Sequence, residues 1–294
     1  MGHLAMVLLS ILVAGSFSLG SLAVPHIDPG ALTAIRFFIG VIVMGIVVLW
    51  TVEAPVQRMI DAGHDGWSQF LLLGILMGSF FVSMFVALKD TDPVSTGAIF
   101  TLMPIFTAVF AYFILGQRLK KILLMSLVVA GLGALWVIFR GDLNRVVGFH
   151  LGRGETIFLF GTIAHALYAP LVAKFNKNVS VFVFTFWTLV ATLFWVTIYA
   201  FPQIIETPWA QLPTIVWVAI VYLSTFTTAG TFFLMQFALI RIPSAKATAY
   251  VYLTPGLIIL LEGISGRGWV SPAIFVGAFV SIVGLVILAR TSDV

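Results

Sequence analysis

Ten long apolar runs, separated by short polar connections, fill most of this 294-residue chain. They span roughly 4–24, 30–51, 67–88, 94–115, 119–139, 155–174, 180–201, 212–238, 244–264 and 270–289. A helix needs about 20 apolar residues to cross a hydrocarbon core about 30 Å thick. A membrane-spanning strand would need only about ten residues of alternating polarity, whereas these runs are twice as long and apolar on every face. The pattern predicts an all-α integral membrane protein with ten transmembrane helices. Charged residues make up 9% of the chain, against about 25% in a soluble domain. A soluble globular protein, a disordered chain and a disulfide-rich secreted domain are thereby excluded. Cysteine is absent, which removes disulfides, thiolate metal sites and cysteine nucleophiles.

The connections carry turn chemistry. Pro25-His26-Ile27-Asp28-Pro29-Gly30 separates the first two helices, and Asp90-Thr91-Asp92-Pro93 the third and fourth. Polar interruptions at 52–66 and from Arg140 to Arg145 are the longest, and the second falls at mid-chain. Trp50, Trp67, Trp209 and Trp269 sit near predicted helix ends, where an interfacial aromatic belt belongs. Residues 1–24 are expected to be a span and not a signal peptide, because no Lys or Arg precedes a run this long. An even number of spans puts both termini on one side. That side holds Arg58, Arg118, Lys120, Lys121, Lys174, Lys177, Arg241, Lys246 and Arg290; the other holds Arg36, Lys89, Arg140, Arg145, Arg153 and Arg267. The excess of basic residues assigns the termini to the cytoplasm. No basic stripe interleaved with aromatics is present, so nucleic acid is not an expected partner.

Shifting the chain by 151 residues pairs Phe81 with Phe232, Ala87-Leu88 with Ala238-Leu239, Ala98 with Ala249, and Leu102 with Leu253. The same shift pairs Pro104 with Pro255, Val129 with Val280 and Gly133 with Gly284. Two repeats are expected, 1–145 and 146–294, each of five crossings. An odd number inverts the second copy relative to the first, an arrangement that gives transporters two conformations around a midplane site.

The residues also carry a family resemblance. Pro29 to Phe38, with Arg36-Phe37 at its end, is similar to the second-helix signature of the EamA branch of the drug/metabolite transporter superfamily. Ala87-Leu88, Pro104 and Gly116-Gln117-Arg118 resemble that family's repeat signature, and His165-Ala166-Leu167-Tyr168 its sixth-helix motif. Within the superfamily the chain most resembles the YddG-type amino-acid exporters. Gln117 stands where the family usually has Glu, and His165 where Trp is usual. The resemblance implies two five-helix halves around a cavity formed by helices 1, 3, 4, 6, 8 and 9.

Several polar or strained positions inside the spans are candidates for the chemistry. Pro104 and Pro255 remove a helical hydrogen bond and displace the carbonyls of Phe100 and Val251. Such breaks belong where protein or a water-filled cavity satisfies the freed group, so both are expected as kinks lining the path. His165 is the one histidine deep in a predicted span, and such groups face interiors or cavities; Tyr168 shares its face. The candidate cavity set is His165, Tyr168, Ser16, Ser79, Ser83, Phe100, Thr101, Gln236, Tyr250 and Tyr252. His165 and Glu262 are candidates for ion coupling, with a helix-end role the competing reading for Glu262. Arg36 reads as structural, either snorkelling to lipid headgroups or bridging helix ends. Gly74 and Gly78 form a small-xxx-small contact for helix packing.

No zinc, nucleophile-elbow or phosphate-loop motif is found, so neither an enzyme nor a direct ATP-driven pump is expected, and no cofactor or metal is implied. The expected function is a secondary transporter exporting small metabolites, amino acids foremost, across the bacterial inner membrane by alternating access. Its partners are the lipid bilayer and small-molecule substrates, and a monomer suffices. Export of organic cations or drugs is the alternative within the class. A non-transporting or enzymatic membrane subunit is the alternative outside it.

Overall fold

A computed structural model describes residues 1–117, 121–139, 141–142, 151–176 and 179–290. Arg118, Lys120, Arg140, Arg145, Lys177 and the expected repeat boundary at 145/146 lie outside the described residues. Among those described, the chain is helical with no strands. The helices are α1 (Gly2–Ala23), α2 (Pro29–Thr51), α3 (Pro55–Asp90), α4 (Pro93–Phe100), α5 (Met103–Leu115) and α6 (Lys121–Ile138). They continue as α7 (Arg153–Phe175), α8 (Val181–Glu206), α9 (Thr214–Ser224), α10 (Thr231–Leu239), α11 (Ser244–Ala249), α12 (Thr254–Ile264) and α13 (Pro272–Arg290). Eight helical segments are long and apolar enough to cross a membrane, counting α4–α5, α9–α10 and α11–α12 as one each. The expected fifth and tenth spans hold shorter apolar helices, Leu124–Val137 and Pro272–Ile287.

Local chemistry explains where several helices begin. Asp28 caps α2 by accepting from the Gly30 N–H at 2.7 Å, with Pro29 in the first turn. Asp92 caps α4 through the N–H groups of Val94 and Ser95, both at 2.9 Å, with Pro93 following. In each case a carboxylate satisfies orphan donors while proline fills a position needing none.

The polar stretch 52–66 is a correction to the sequence reading. From Pro55 it is not a connection but the amphipathic start of a 36-residue α3. Gln57 Nε2 donates to Asp61 Oδ1 at 2.7 Å on the exposed side. On the other side Trp187 of α8 donates its indole N–H to the Met59 carbonyl at 2.8 Å. Its ring lies directly over Gly63, where a Cβ would collide with it. An indole shelf therefore holds a segment that hydropathy alone breaks off.

Three spans are interrupted. Between α4 and α5 the chain makes short-range turns, with Thr101 N–H bonding Ala98 O and Leu102 N–H bonding Ile99 O, both at 3.0 Å. Pro104 sits in the first turn of α5. The counterpart break precedes Pro255, where Tyr250–Leu253 forms a 3₁₀ turn between α11 and α12. Between α9 and α10, Thr225–Gly230 forms a π-turn. Nothing in the sequence reading anticipates that one.

Helices pack α3 on α7 and α8, α2 on α8, α5 on α7 and α11, α1 on α9, α10 and α12, and α6 on α13. The α6–α13 crossing is made of small residues. A Cβ on Gly133 would strike the Gly277 carbonyl, and one on Gly284 the Ser126 carbonyl. Ser281 Oγ donates to Ala130 O at 3.1 Å across the same contact. Gly74 lies on the backbone of Ala191 in α8, so α3 and α8 approach as closely as the small-residue spacing predicts. Charged groups collect at the helix ends: Lys89 pairs with Asp28 at 3.7 Å, and Arg153 lies 4.0 Å from Asp90. Trp50, Trp67 and Trp269 are exposed.

Candidate functional site

A narrow cavity enclosing about 470 Å³ lies where helices of both chain halves meet. Its wall comes from α1 (Leu9, Val13, Ser16), α3 (Met77, Phe80, Phe81, Met84), α4 (Phe100) and α7 (His165, Tyr168). The π-turn adds Thr227, and α10 adds Thr231, Phe232 and Met235. Side chains reach far into it and leave little free space at its centre.

Aromatic rings make most of this wall. Phe80, Phe100 and His165 form a triangle of rings, with the imidazole centroid 4.3 Å from Phe80 and 5.7 Å from Phe100, which lies parallel to it, and the two phenyl rings 5.3 Å apart. Phe81 stacks on Phe232 at 6.0 Å, and Tyr168 meets the edge of Phe232 at 6.2 Å. Within this apolar box two polar atoms are buried without a hydrogen-bond partner, Ser16 Oγ and His165 Nδ1. Leaving such a group unpaired costs about 1–3 kcal/mol. Both therefore favour a ligand that can bond to them.

Gln236 stands behind the wall. Its Oε1 accepts from Thr185 Oγ1 at 2.7 Å, and its Nε2 donates to the Tyr168 hydroxyl at 3.0 Å. The amide thus ties α7, α8 and α10 together and fixes the Tyr168 ring against the cavity. A mid-span glutamine is retained there because each of its polar atoms has a partner.

The other sequence candidates are distributed elsewhere. Ser79 and Ser83 line a separate lateral groove with Trp195 and Tyr199, and their hydroxyls donate to Ile75 O and Phe80 O in their own helix. Thr101 is buried, and its hydroxyl donates to Ala98 O at 2.6 Å, the same carbonyl that accepts from its backbone N–H at the break. Tyr250 places its hydroxyl 2.8 Å from His3 Nδ1, and its carbonyl accepts from Ser10 Oγ at 2.7 Å, joining α1 to the 3₁₀ turn. Tyr252 is buried, with no partner for its hydroxyl. Glu262 takes a bidentate pair from Arg267, two contacts of 2.7 Å, beyond the end of the α12 apolar run. The ninth expected span supplies none of the residues of the central wall.

Of the two structural readings of Arg36, snorkelling and bridging, the structure fits the second. Arg36 is wholly buried, so its side chain does not reach a lipid headgroup. Its Nε donates to Thr228 Oγ1 at 2.8 Å and its Nη2 to Thr227 Oγ1 at 3.0 Å. The guanidinium therefore plugs the π-turn, whose register change frees the Leu223 carbonyl. The run Thr225-Phe226-Thr227-Thr228-Ala229-Gly230 is poor in strong helix formers, which is the signal sequence reasoning passed over.

Two stretches of the chain, residues 1–139 and 152–290, each match the EamA-like transporter family. The chain belongs to the EamA-like transporter family. As an EamA-like protein it is a multi-pass membrane transporter. It is 25% identical over 257 residues to "Uncharacterized transporter YyaM" of Bacillus subtilis (strain 168), covering 86% of this chain and 82% of that one. It is 20% identical over 260 residues to "Uncharacterized transporter YetK" of the same organism, covering 86% and 76%. A solved structure described as "Crystal structure of protein" superposes with a TM-score of 0.71 over 96% of this chain and 94% of that chain, at 19% identity. That likeness supports the EamA-like chain's fold alone.

Proposed function

We propose that this chain is a secondary carrier that exports small metabolites, amino acids foremost, by alternating access around the central cavity. The observation that carries the reading is the cavity itself: central, walled by both chain halves, and flanked by interrupted helices. Helix breaks of this kind are where transporter helices bend. The halves, 1–145 and 146–294, act as two five-helix repeats of opposite orientation within ten crossings. Packing supports this: exchanging the halves maps α3–α7 onto α1–α10, α5–α7 onto α1–α12, and α6–α13 onto itself. Phe81 and Phe232, equivalent under the 151-residue shift, stack on each other in the cavity wall. The inner membrane is the site of action, with both termini cytoplasmic.

The substrate class follows from charge. A counter-charge is the strongest device for holding an organic cation inside a membrane protein, and no Asp or Glu is buried among the described residues. Amino acids suit the wall better. Their side chains would meet the aromatic rings, and Ser16 Oγ and His165 Nδ1 would meet their polar ends. The resemblance to YddG-type exporters points the same way.

Counterflow in proteoliposomes tests this, with a panel of labelled amino acids and cationic dyes. Saturable exchange of at least one amino acid, and none of the dyes, is expected. Dye exchange without amino-acid exchange would reverse the substrate assignment, and no exchange at all would end the carrier reading.

A further inference from the structure

Arg36 lies in the first half of α2, and every hydrogen bond it makes goes to the α9 end or the π-turn. Beyond the contacts of its Nε and Nη2 with Thr228 and Thr227, Nη2 reaches the carbonyls of Thr227 at 3.3 Å and Leu223 at 3.4 Å. All these acceptors are neutral. Its Nη1 is buried and has no hydrogen-bond partner. The remaining neighbours are phenyl faces: the guanidinium carbon lies 4.3 Å from the Phe81 ring centre and 5.4 Å from that of Phe85. A cation–π contact offsets only part of what it costs to take an ion out of water. The charge is therefore under-compensated, and among the described residues no carboxylate is buried beside it.

Two of its partners, Thr227 and Phe81, are part of the cavity wall. The cation stands one side chain behind the void, and the Phe81 ring covers it. We propose that Arg36 is the anion-binding residue of the transport site, reached when Phe81 swings aside, and that it takes the carboxylate of the substrate with Thr227 as a second donor. A guanidinium presents a planar fork that matches a carboxylate, which lysine does not reproduce. The proposal rests on the carrier reading and narrows it. Substrates must carry a carboxylate, and an amine is optional.

Equilibrium binding tests this on the full chain in nanodiscs, read by intrinsic tryptophan fluorescence. The three probes share an aromatic body: phenylalanine, 3-phenylpropionate (carboxylate only) and 2-phenylethylamine (amine only). Proteoliposome counterflow of the same probes runs in parallel. The two carboxylates are expected to bind, and the amine about 30-fold more weakly or worse. Arg36→Gln should abolish that preference and Arg36→Lys should retain part of it. Thr227→Val should weaken both carboxylates while leaving the charge in place, which keeps the test alive if Arg36→Gln does not fold. A residue that merely braced the π-turn would weaken all three probes alike. No carboxylate preference in the wild type, whether all three probes bind or none, overturns the proposal, as does a preference that survives Arg36→Gln. Counterflow without carboxylate preference sinks the anion site and leaves the carrier. Arg36-dependent carboxylate binding without counterflow keeps the anion site and sinks the carrier.

Discussion

The α6–α13 crossing and the central cavity are both contacts between the two chain halves, yet they are built from opposite materials. At the crossing, glycines and serines bring backbones together, and the polar atoms are matched: Ser281 bonds Ala130 O, and Trp136 donates to Ala273 O at 2.8 Å. At the cavity, phenylalanines and methionines keep backbones apart, and Ser16, His165 and Arg36 leave polar atoms unmatched. Close backbone contact gains dispersion from many atoms and resists displacement. A void walled by flexible side chains has little to lose when its helices separate. On the proposed carrier reading, the crossing is the fixed axis and the cavity belongs to the moving parts.

Breaking the fixed axis should have the largest effect. Gly133→Val places methyl groups against the Gly277 carbonyl and the Ser281 backbone, and should destabilise the protein by about 3 kcal/mol. A large drop in the apparent melting temperature in detergent would register it. An unchanged melting temperature would mean that the crossing is looser than described.

A smaller loss is expected behind the cavity wall. Gln236→Leu removes the bonds to Tyr168 and Thr185 at about 1 kcal/mol, since interhelical hydrogen bonds in membranes are modest. Here the two regions separate by readout. Flux should fall further than stability, because Tyr168 loses its positioning while the packing persists. Equal falls in both would make Gln236 another part of the static frame.

Least is expected at the C-terminal end of α12. Glu262 and Arg267 are paired where both side chains keep contact with solvent, at 13% and 29% exposure. Glu262→Gln should cost under about 1 kcal/mol. Amino-acid flux should keep its rate and its response to a pH gradient. A lost gradient response would instead move Glu262 into the coupling machinery.

The same contrast explains what was legible in the amino-acid sequence. Long apolar runs, capped by Asp28-Pro29 and Asp92-Pro93, mark helices because length and capping are local properties. The interruption before α5 could be read from Pro104 alone, for proline lacks the N–H whatever surrounds it. The start of α3 could not, because its amphipathic stretch is held by Trp187, 128 residues from Met59 in the chain. The π-turn left only a weak local signal, the threonine-rich run 225–230: the hydroxyls of Thr227 and Thr228 satisfy its freed carbonyl, while the bonds from Arg36 to those hydroxyls are made only by folding. Facing was the hardest to read. In a helix apolar all round, nothing in Ser79 and Ser83 says that they turn to the lateral groove while Phe80 and Phe81 turn to the cavity. His165 and Tyr168 stood out because a titratable ring and a phenol are conspicuous among apolar neighbours.

Whether the cavity opens to both sides is the most direct question, and Ser16 is the place to ask it. The chain holds no cysteine, so Ser16→Cys introduces a single thiol at a wall position. Labelling with a membrane-impermeant maleimide, in vesicles of each orientation, reports access from each side. The account predicts modification from both sides, slowed in each case by a transported amino acid. Modification from one side alone, with or without substrate, would contradict it.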